Sequence, residues 1–316
     1  MSAIAVSAIP ESEDSQSALP RLTTASVIGA ALETMRPYQW LKNLLVFLPL
    51  AAAHRLGERE VLGTGACIFA AFSLCASGIY VFNDLHDASA DRLHPHKRYR
   101  PIAFGTLPRS IAIGLIPALL GGAIAACLPL GPRVAAILAS YAALMVAYSF
   151  RFKTIVLLDA LVLAAGYALR VVAGGAAVDI RPSPQLLEFC VLIFFSLALL
   201  KRYAELALLQ ARDGPAARAR AYRPEDQEVI LALGSSSGIL SVLVLTQYLL
   251  TAPIEHLDSH PEFMAITFVL LLYWISYAWL TARRGRMTDD PLVFAIKDRV
   301  SQVLIALMGA AAWLAV

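Results

Sequence analysis

The sequence predicts an all-α protein that crosses a membrane nine times. Of its 316 residues, 59% are hydrophobic and only 16% are charged, and the mean hydropathy is +0.66. Soluble domains carry about 25% charged residues, so a soluble fold is disfavoured. Apolar runs recur along the chain, and a run of about 20 residues is long enough for a helix to cross hydrocarbon. Because lipid offers no partner to free backbone groups, the predicted spans are helical.

Nine apolar segments define the predicted spans. In chain order they are 40–54, 61–82, 110–130, 133–150, 155–178, 186–206, 229–252, 263–282 and 299–316. The first is short, and we expect it to begin near Met35, or to tilt or kink at Pro49. Acids and prolines interrupt residues 1–21, which lack the basic start of a signal peptide. We therefore predict a disordered tail at 1–21 and a single transmembrane domain at 22–316.

The distribution of lysine and arginine orients the predicted spans. Of the 26 basic residues, 21 fall in the N-terminal region and in the connections after the second, fourth, sixth and eighth spans. Four fall on the opposite side, and Arg170 lies inside a span. Because basic connections stay in the cytoplasm, we expect a cytoplasmic N-terminus in a bacterial-type inner (plasma) membrane. The longest connections then face the cytoplasm, and we expect the active site there.

An acidic stretch, NDLHDASAD, directly follows the second span. Asn83, Asp87 and Asp91 are four residues apart, so a helix continuing from the span would place them on one stripe, with Asp84 beside them. Carboxylate and amide oxygens suit Mg²⁺, a hard cation. Ionisable groups so close to hydrocarbon are costly, which favours a functional site over a solvated helix end. We predict that Asn83, Asp87 and Asp91 bind Mg²⁺ and that the two aspartates are catalytic.

Basic side chains follow the acidic stretch at once, at Arg92, Lys97, Arg98 and Arg100. Arginine binds phosphate oxygens through paired hydrogen bonds, and lysine binds them as a point charge. The alternative interpretation is charge retained on the cytoplasmic side, or contact with anionic lipid head groups. Acids that hold a metal, next to bases, suit a bound diphosphate. We therefore predict that these four residues and Asp84 contact substrate.

Five motifs stand out: RPYQWLKN (36–43), NDLHDASADRLHPHKRYRPIAFG (83–105), YSFRFK (148–153), LRVVAGG (169–175) and KRYAEL (201–206). NDLHDASADR resembles the N-D-x-x-D-x-x-x-D motif of the UbiA superfamily of intramembrane prenyltransferases. This resemblance implies a UbiA-type bundle of nine transmembrane helices, with Mg²⁺ and a central cavity open to the cytoplasm. Taken together, the five motifs resemble a narrower branch, the decaprenyl-phosphate phosphoribosyltransferases.

One departure from the wider family separates its branches. Members that use a prenyl diphosphate usually carry a second aspartate-rich motif after the sixth span, where this chain reads LLKRYAELALLQARDG. An acidic motif that faces a basic one indicates two phosphate-bearing substrates. Phosphoribosyl diphosphate and a polyprenyl phosphate, which the resemblance implies, fit that description. Glu205 is the catalytic candidate here, to orient a ribose hydroxyl or complete the metal shell. Its alternative role is an i, i+4 pair with Lys201.

Further substrate-binding candidates lie at the cytoplasmic ends of spans. Lys42 opens the first span, where phosphate contact and interfacial snorkelling are equal alternatives. The others are Tyr148, Lys153, Lys201 and Arg202. Asp159 and Arg170 lie inside the fifth span and must point inward. Asp159 could hold a base such as Lys153 or join the polar cavity, and the role of Arg170 stays open.

The resemblance implies Mg²⁺-dependent transfer of 5-phosphoribose from phosphoribosyl diphosphate to a polyprenyl phosphate, which releases diphosphate and feeds arabinan or other glycan synthesis. The alternative is transfer of a prenyl group from prenyl diphosphate to an aromatic acceptor. A lipid carrier or transporter is a remote alternative, because the polar cluster lies at one face rather than at mid-membrane. The expected partners are the two substrates and the lipid bilayer, without nucleic acid. The oligomeric state and the length of the lipid stay open.

Overall fold

Helices make up most of the described residues. The computed structural model describes residues 23–93, 97–213, 221–251, 261–287 and 290–315. The predicted tail at 1–21 lies outside these ranges, which contain no strand. The α-helices are α1 Thr24–Met35, α2 Leu48–Ala52, α3 Arg59–His86, α4 Ala88–Leu93, α5 Pro101–Phe104, α6 Arg109–Cys127, α7 Pro132–Phe150, α8 Leu158–Ala177, α9 Pro184–Asp213, α10 Gln227–Thr251, α11 Pro261–Arg283, α12 Pro291–Lys297 and α13 Arg299–Ala315.

Seven helices in the described ranges are long and apolar enough to cross a membrane. They are α3 and α6 to α11, and they coincide with the second to eighth predicted segments. This supports an integral membrane protein. The ninth predicted segment is α13, whose apolar helix falls short of the length of the others. The count of nine spans therefore stays a prediction.

The first predicted span is not a single α-helix. It consists of a 3₁₀-helix, Pro37–Phe47, followed by the five-residue α2. Arg36 ends α1 in the left-handed region, at φ 55°, and the chain turns there. A 3₁₀-helix has poorer hydrogen-bond geometry than an α-helix, and runs beyond about four residues are uncommon. A run of 11 residues therefore needs support from its neighbours.

Side chains and backbone of α3 and α8 supply that support. Asn43 Nδ2 donates a hydrogen bond to Ser73 Oγ of α3 at 3.0 Å, and Asn43 Oδ1 accepts one from Arg170 Nε of α8 at 2.7 Å. Gly174 of α8 lies so close to the 3₁₀-helix that a Cβ would overlap the carbonyl oxygen of Val46. These contacts fix the side chains that the 3₁₀-helix presents to the site.

Three clusters of buried apolar side chains hold the bundle together. The largest lies among α8 to α13, the second among the 3₁₀-helix, α3, α6, α7 and α8, and the third around α1, α5 and the adjoining parts of α3 and α6. Several charged residues are buried. Asp84, Asp91 and Asp159 lie near helix ends, and Arg202 lies within α9. The clusters thus position a polar region among these ends.

We predict that Gly174→Ala lowers the thermal unfolding midpoint of the detergent-solubilised protein. The added methyl forces the 3₁₀-helix away from α8, and overpacking of this kind costs about 1–3 kcal/mol. Gly121→Ala is the matched control, because it lies inside α6 with no atom within 4 Å of its would-be Cβ. An unfolding midpoint of Gly174→Ala equal to that of Gly121→Ala contradicts the close packing.

Candidate active site

A polar cavity of about 200 Å³ lies among the 3₁₀-helix, α3, α7, α8, α9 and α12. Its charged lining residues are Arg36, Lys42, Lys201, Arg202 and Asp290, and its tyrosines are Tyr80, Tyr148 and Tyr167. Four of the five charged residues are basic, so the cavity attracts anions. Three of the predicted substrate-binding residues with basic side chains, and Tyr148 as well, therefore meet in one cavity.

An apolar groove of about 330 Å³ adjoins the polar cavity. Leucine side chains of the 3₁₀-helix and α2 form one wall, and Phe194 of α9 and Leu292 of α12 also line it. Both compartments share four residues, which are Lys42, Tyr167, Phe194 and Leu292. The two compartments together therefore suit a molecule with an anionic head and an apolar chain.

Asp290 is the carboxylate that lines the polar cavity, and it lies outside the motifs that predict the site. Its Oδ2 lies 2.9 Å from Lys201 Nζ and 3.5 Å from Lys42 Nζ. Burial raises the pKa of Asp290, but the two lysines outweigh burial and lower it to about 2. The carboxylate is thus ionised at neutral pH. The Asp-Pro pair at the start of α12 was the available signal, because aspartate favours the N-cap and proline the first helical turn.

The acidic motif forms a charge cluster with two arginines. Arg36 Nη2 donates to both carboxylate oxygens of Asp84, at 2.9 and 3.1 Å. Arg100 Nη1 donates to Asp84 Oδ1 at 3.1 Å and to Asp91 Oδ2 at 2.8 Å. Both carboxylates are buried, and they converge on one cationic nitrogen. Arg36 links this cluster to the polar cavity, which it also lines.

The predicted helical stripe of Asn83, Asp87 and Asp91 is interrupted at Asp87. The helix α3 ends at His86 and α4 begins at Ala88, with Asp87 between them at φ −85° and ψ 0°. The bend turns Asp91 toward Arg100, whereas Asp87 Oδ2 lies 3.7 Å from Lys153 Nζ. Within the described residues, no group of three or more His, Cys, Asp or Glu side chains has the arrangement of a metal site. Metal binding by Asn83, Asp87 and Asp91 therefore stays a prediction.

The donor chemistry nevertheless fits a divalent cation. The motif offers carboxylate oxygens and one amide oxygen, the ligand types that Mg²⁺ takes in proteins. Asp84 and Asp91 already bind the Nη1 atom of the Arg100 guanidinium between them, at 3.1 and 2.8 Å. Two buried carboxylates that converge on one cationic nitrogen are the local feature that a metal ion could use.

The basic run after the acidic motif divides into two kinds of residue. Arg100 points inward to the acids. Arg92 Nε donates to the Ala103 carbonyl at 3.0 Å, and Arg98 stacks on the neighbouring Tyr99 ring. Arg92, Lys97 and Arg98 are exposed, and none of the four residues lines either compartment described above.

Arg202 is the centre of a buried network. Its Nε donates to Asp159 Oδ2 at 2.7 Å and its Nη1 to Glu205 Oε2 at 2.6 Å, so Glu205 pairs with Arg202 rather than with Lys201. Tyr222 donates to the second oxygen of Asp159 and accepts from the Leu157 backbone. The base held by Asp159 is thus Arg202, not Lys153. This network fixes Arg202 in the cavity wall. Arg202 Nη2 also donates to the Tyr148 hydroxyl at 3.4 Å.

Arg170 is buried between α7, α8 and the 3₁₀-helix. Besides Asn43, it donates to the Gly166 carbonyl at 2.7 Å and to the Tyr141 hydroxyl at 2.9 Å. Its guanidinium also lies over the Tyr141 ring, 4.6 Å from the centroid. These contacts join α7, α8 and the 3₁₀-helix, which is a structural role.

The helical fold and the motifs together define a membrane-bound transferase. The chain belongs to the UbiA prenyltransferase family, whose sequence profile matches residues 43–297.

Relatives with curated names extend along most of the chain. Decaprenyl-phosphate phosphoribosyltransferase of Mycobacterium tuberculosis is 33% identical, over 91% of this chain and 95% of its own length. The nodulation protein NoeC of Azorhizobium caulinodans is 36% identical, over 86% of this chain and 89% of its own length. Protein y4nM of Sinorhizobium fredii is 34% identical over 89% of this chain, and the chain spans 54% of that protein.

A solved structure shows the same fold. The UbiA homolog from Archaeoglobus fulgidus bound to GPP and Mg²⁺ superposes with a TM-score of 0.65 at 17% identity. The match covers 90% of this chain and 99% of the homolog. The Mg²⁺ in that homolog is consistent with a divalent metal cofactor in this family.

We predict that Asp159→Asn lowers the unfolding midpoint strongly. It removes a carboxylate from a buried pair, and breaking such a pair costs about 3–5 kcal/mol. Glu58→Gln is the control, because it breaks an exposed pair with Arg55 of the same 2.7 Å length, and exposed pairs contribute little. Thermal unfolding in detergent measures both variants, and an equal small loss in the two contradicts the buried network.

Proposed function

We propose that the protein transfers 5-phosphoribose from phosphoribosyl diphosphate to a membrane polyprenyl phosphate and releases diphosphate. The observation that carries the proposal is the basic cavity that adjoins an apolar groove on one side and, through Arg36, the acidic motif on the other. Such a pair of regions suits two phosphate-bearing substrates, one of which is a lipid. The relative named decaprenyl-phosphate phosphoribosyltransferase, similar over 91% of the chain, supports the same assignment.

The acidic motif is the proposed donor region. Asn83, Asp87 and Asp91, with Asp84 beside them, would hold Mg²⁺, which when bound would neutralise charge on the leaving diphosphate. Basic residues near the motif hold the remaining phosphate oxygens of the donor. The proposed set is Arg92, Lys97, Arg98, Arg100 and Lys153. Arg100 and Lys153 already lie against carboxylates of the motif, at 2.8 and 3.7 Å, and this supports their part in the set.

The polar cavity is the proposed acceptor region. Lys42, Lys201, Arg202 and Tyr148 contact the phosphate of the polyprenyl phosphate, and its chain leaves along the apolar groove. A phosphate oxygen attacks the anomeric carbon, a new carbon–oxygen bond forms, and the bond to diphosphate breaks with its electrons going to diphosphate. The attacking oxygen is already ionised, so positioning is the main requirement. Glu205, held by Arg202 at 2.6 Å, orients a ribose hydroxyl.

A second candidate is prenyl transfer to an aromatic acceptor. The homolog bound to GPP and Mg²⁺ favours it, because GPP is a prenyl diphosphate. The two candidates differ in the donor, so a donor test separates them. For either reaction we propose that the site faces the cytoplasm of a bacterial inner membrane, as the split of basic residues between the two sides indicates.

We predict that the purified protein, given labelled phosphoribosyl diphosphate and decaprenyl phosphate, produces labelled lipid only when Mg²⁺ is present. Chelation of the metal and removal of the acceptor are the two controls. Geranyl diphosphate with 4-hydroxybenzoate tests the second candidate in parallel. Prenylated aromatic product, with no labelled lipid from the first mixture, overturns the proposed function in favour of prenyl transfer.

We also predict that the double variant Asp87→Asn with Asp91→Asn loses phosphoribosyl transfer by roughly 100-fold or more. Loss of electrostatic stabilisation of the leaving group typically has an effect of this size. Asp179→Asn is the matched control, since its side chain is 91% exposed and its partner is the exposed Arg133. Transfer at the normal rate in the double variant rules out the proposed donor region.

A further inference from the structure

Asp290 has three hydrogen-bonding or ionic contacts in the polar cavity. Its Oδ2 contacts Lys201 Nζ and Lys42 Nζ, at 2.9 and 3.5 Å, and its Oδ1 accepts the backbone N–H of Leu292 at 3.1 Å. The Asp290 side chain is 14% exposed. The two lysines come from opposite parts of the chain, the 3₁₀-helix and α9, so one carboxylate links both to α12.

This carboxylate lies beside the junction of the two compartments. Lys42 and Leu292 line both the polar cavity and the apolar groove. A lipid whose chain occupies the groove therefore brings its phosphate head to Lys42, next to Asp290. Two anions cannot share these lysines closely without repulsion, since like charges a few ångströms apart oppose each other.

We propose that Asp290 is a resident counter-anion that the head group of a phosphate-bearing lipid displaces from Lys42 and Lys201. That this lipid is the acceptor of the transfer rests on the proposed function. Asp290 then lowers the affinity of the cavity for every anion, because each incoming anion must displace its carboxylate from the two lysines. No covalent bond changes in this exchange.

The exchange and the apolar groove together favour lipid phosphate over free phosphate. Displacing the Asp290 carboxylate from the lysines weakens the binding of lipid phosphate and of free phosphate by the same factor. A lipid also buries its apolar chain in the groove, and burial of apolar surface is favourable in proportion to its area. Free phosphate gains nothing from the groove, so it stays largely unbound. In the absence of lipid, Asp290 neutralises the two lysines, because a buried cation without a counter-charge is costly.

The test measures binding rather than transfer. Dissociation constants of farnesyl phosphate and of inorganic phosphate are determined for the full chain in detergent. We expect Asp290→Asn to bind each about tenfold more tightly than the wild type, a change of about 1.4 kcal/mol. Asp290→Ser should do the same, because serine and asparagine both retain an N-cap acceptor for α12. Farnesyl phosphate should bind more tightly than inorganic phosphate in every variant.

Asp298→Asn is the matched control. Asp298 caps the next helix, accepting the Ser301 backbone N–H at 2.8 Å, and within the described residues it forms no ion pair. The Asp298→Asn variant should bind farnesyl phosphate and inorganic phosphate with the same affinities as the wild type. Unchanged or weaker binding in Asp290→Asn overturns the inference. So does failure of both Asp290 variants to fold, because the ion pairs would then be structural.

The outcome is independent of the proposed reaction. If Asp290→Asn binds phosphate more tightly but the wild type transfers no phosphoribose, the counter-anion role of Asp290 is supported and the proposed function is contradicted. If the wild type transfers phosphoribose but Asp290→Asn binds phosphate no more tightly, only the counter-anion role of Asp290 is contradicted.

Discussion

A charge buried beside hydrocarbon needs a partner, and this constraint governs how the site is built. Unpaired buried ions are costly, and a membrane offers little water to replace the missing partner. Asp84 meets Arg100, Asp159 meets Arg202, and Asp290 lies between two lysines. Most of these contacts join elements that are distant in sequence. The contacts that neutralise the charges therefore also hold the helix ends around the cavity.

The same constraint explains how such a site can accept charged substrates. A phosphate can replace a carboxylate as the partner of a lysine or arginine, so no cation is left unpaired when substrate enters. The arginines of the acidic cluster and the lysines around Asp290 belong to two separate groups of this kind. Arg202 differs from both groups, because its 1% exposed side chain is fixed by Asp159, which Tyr222 holds in turn, and by Glu205. Arg202 is therefore a fixed part of the cavity wall, whereas the arginines of the acidic cluster and the lysines around Asp290 can exchange a carboxylate for a phosphate.

Hydropathy predicted most of the helices, because a long apolar segment in lipid has no alternative to the helix. It failed at residues 37–47, where the 3₁₀-helix depends on Gly174 and Asn43, contacts that local sequence does not encode. The bend at Asp87 was missed because helical periodicity assumes that a helix continues. The motifs identified most of the bases in the polar cavity. Asp290 was missed because it lies far along the chain from those motifs, and only the folded helices bring them together.

The central claim is that two phosphate-bearing substrates occupy one chain at the same time. Native mass spectrometry of the detergent-solubilised protein, with phosphoribosyl diphosphate, decaprenyl phosphate and Mg²⁺, tests it most directly when the spectra are recorded before turnover. We expect a species that carries one molecule of each substrate per chain. Mutually exclusive binding of the two, or no binding of phosphoribosyl diphosphate at any concentration that saturates the lipid, would contradict the account.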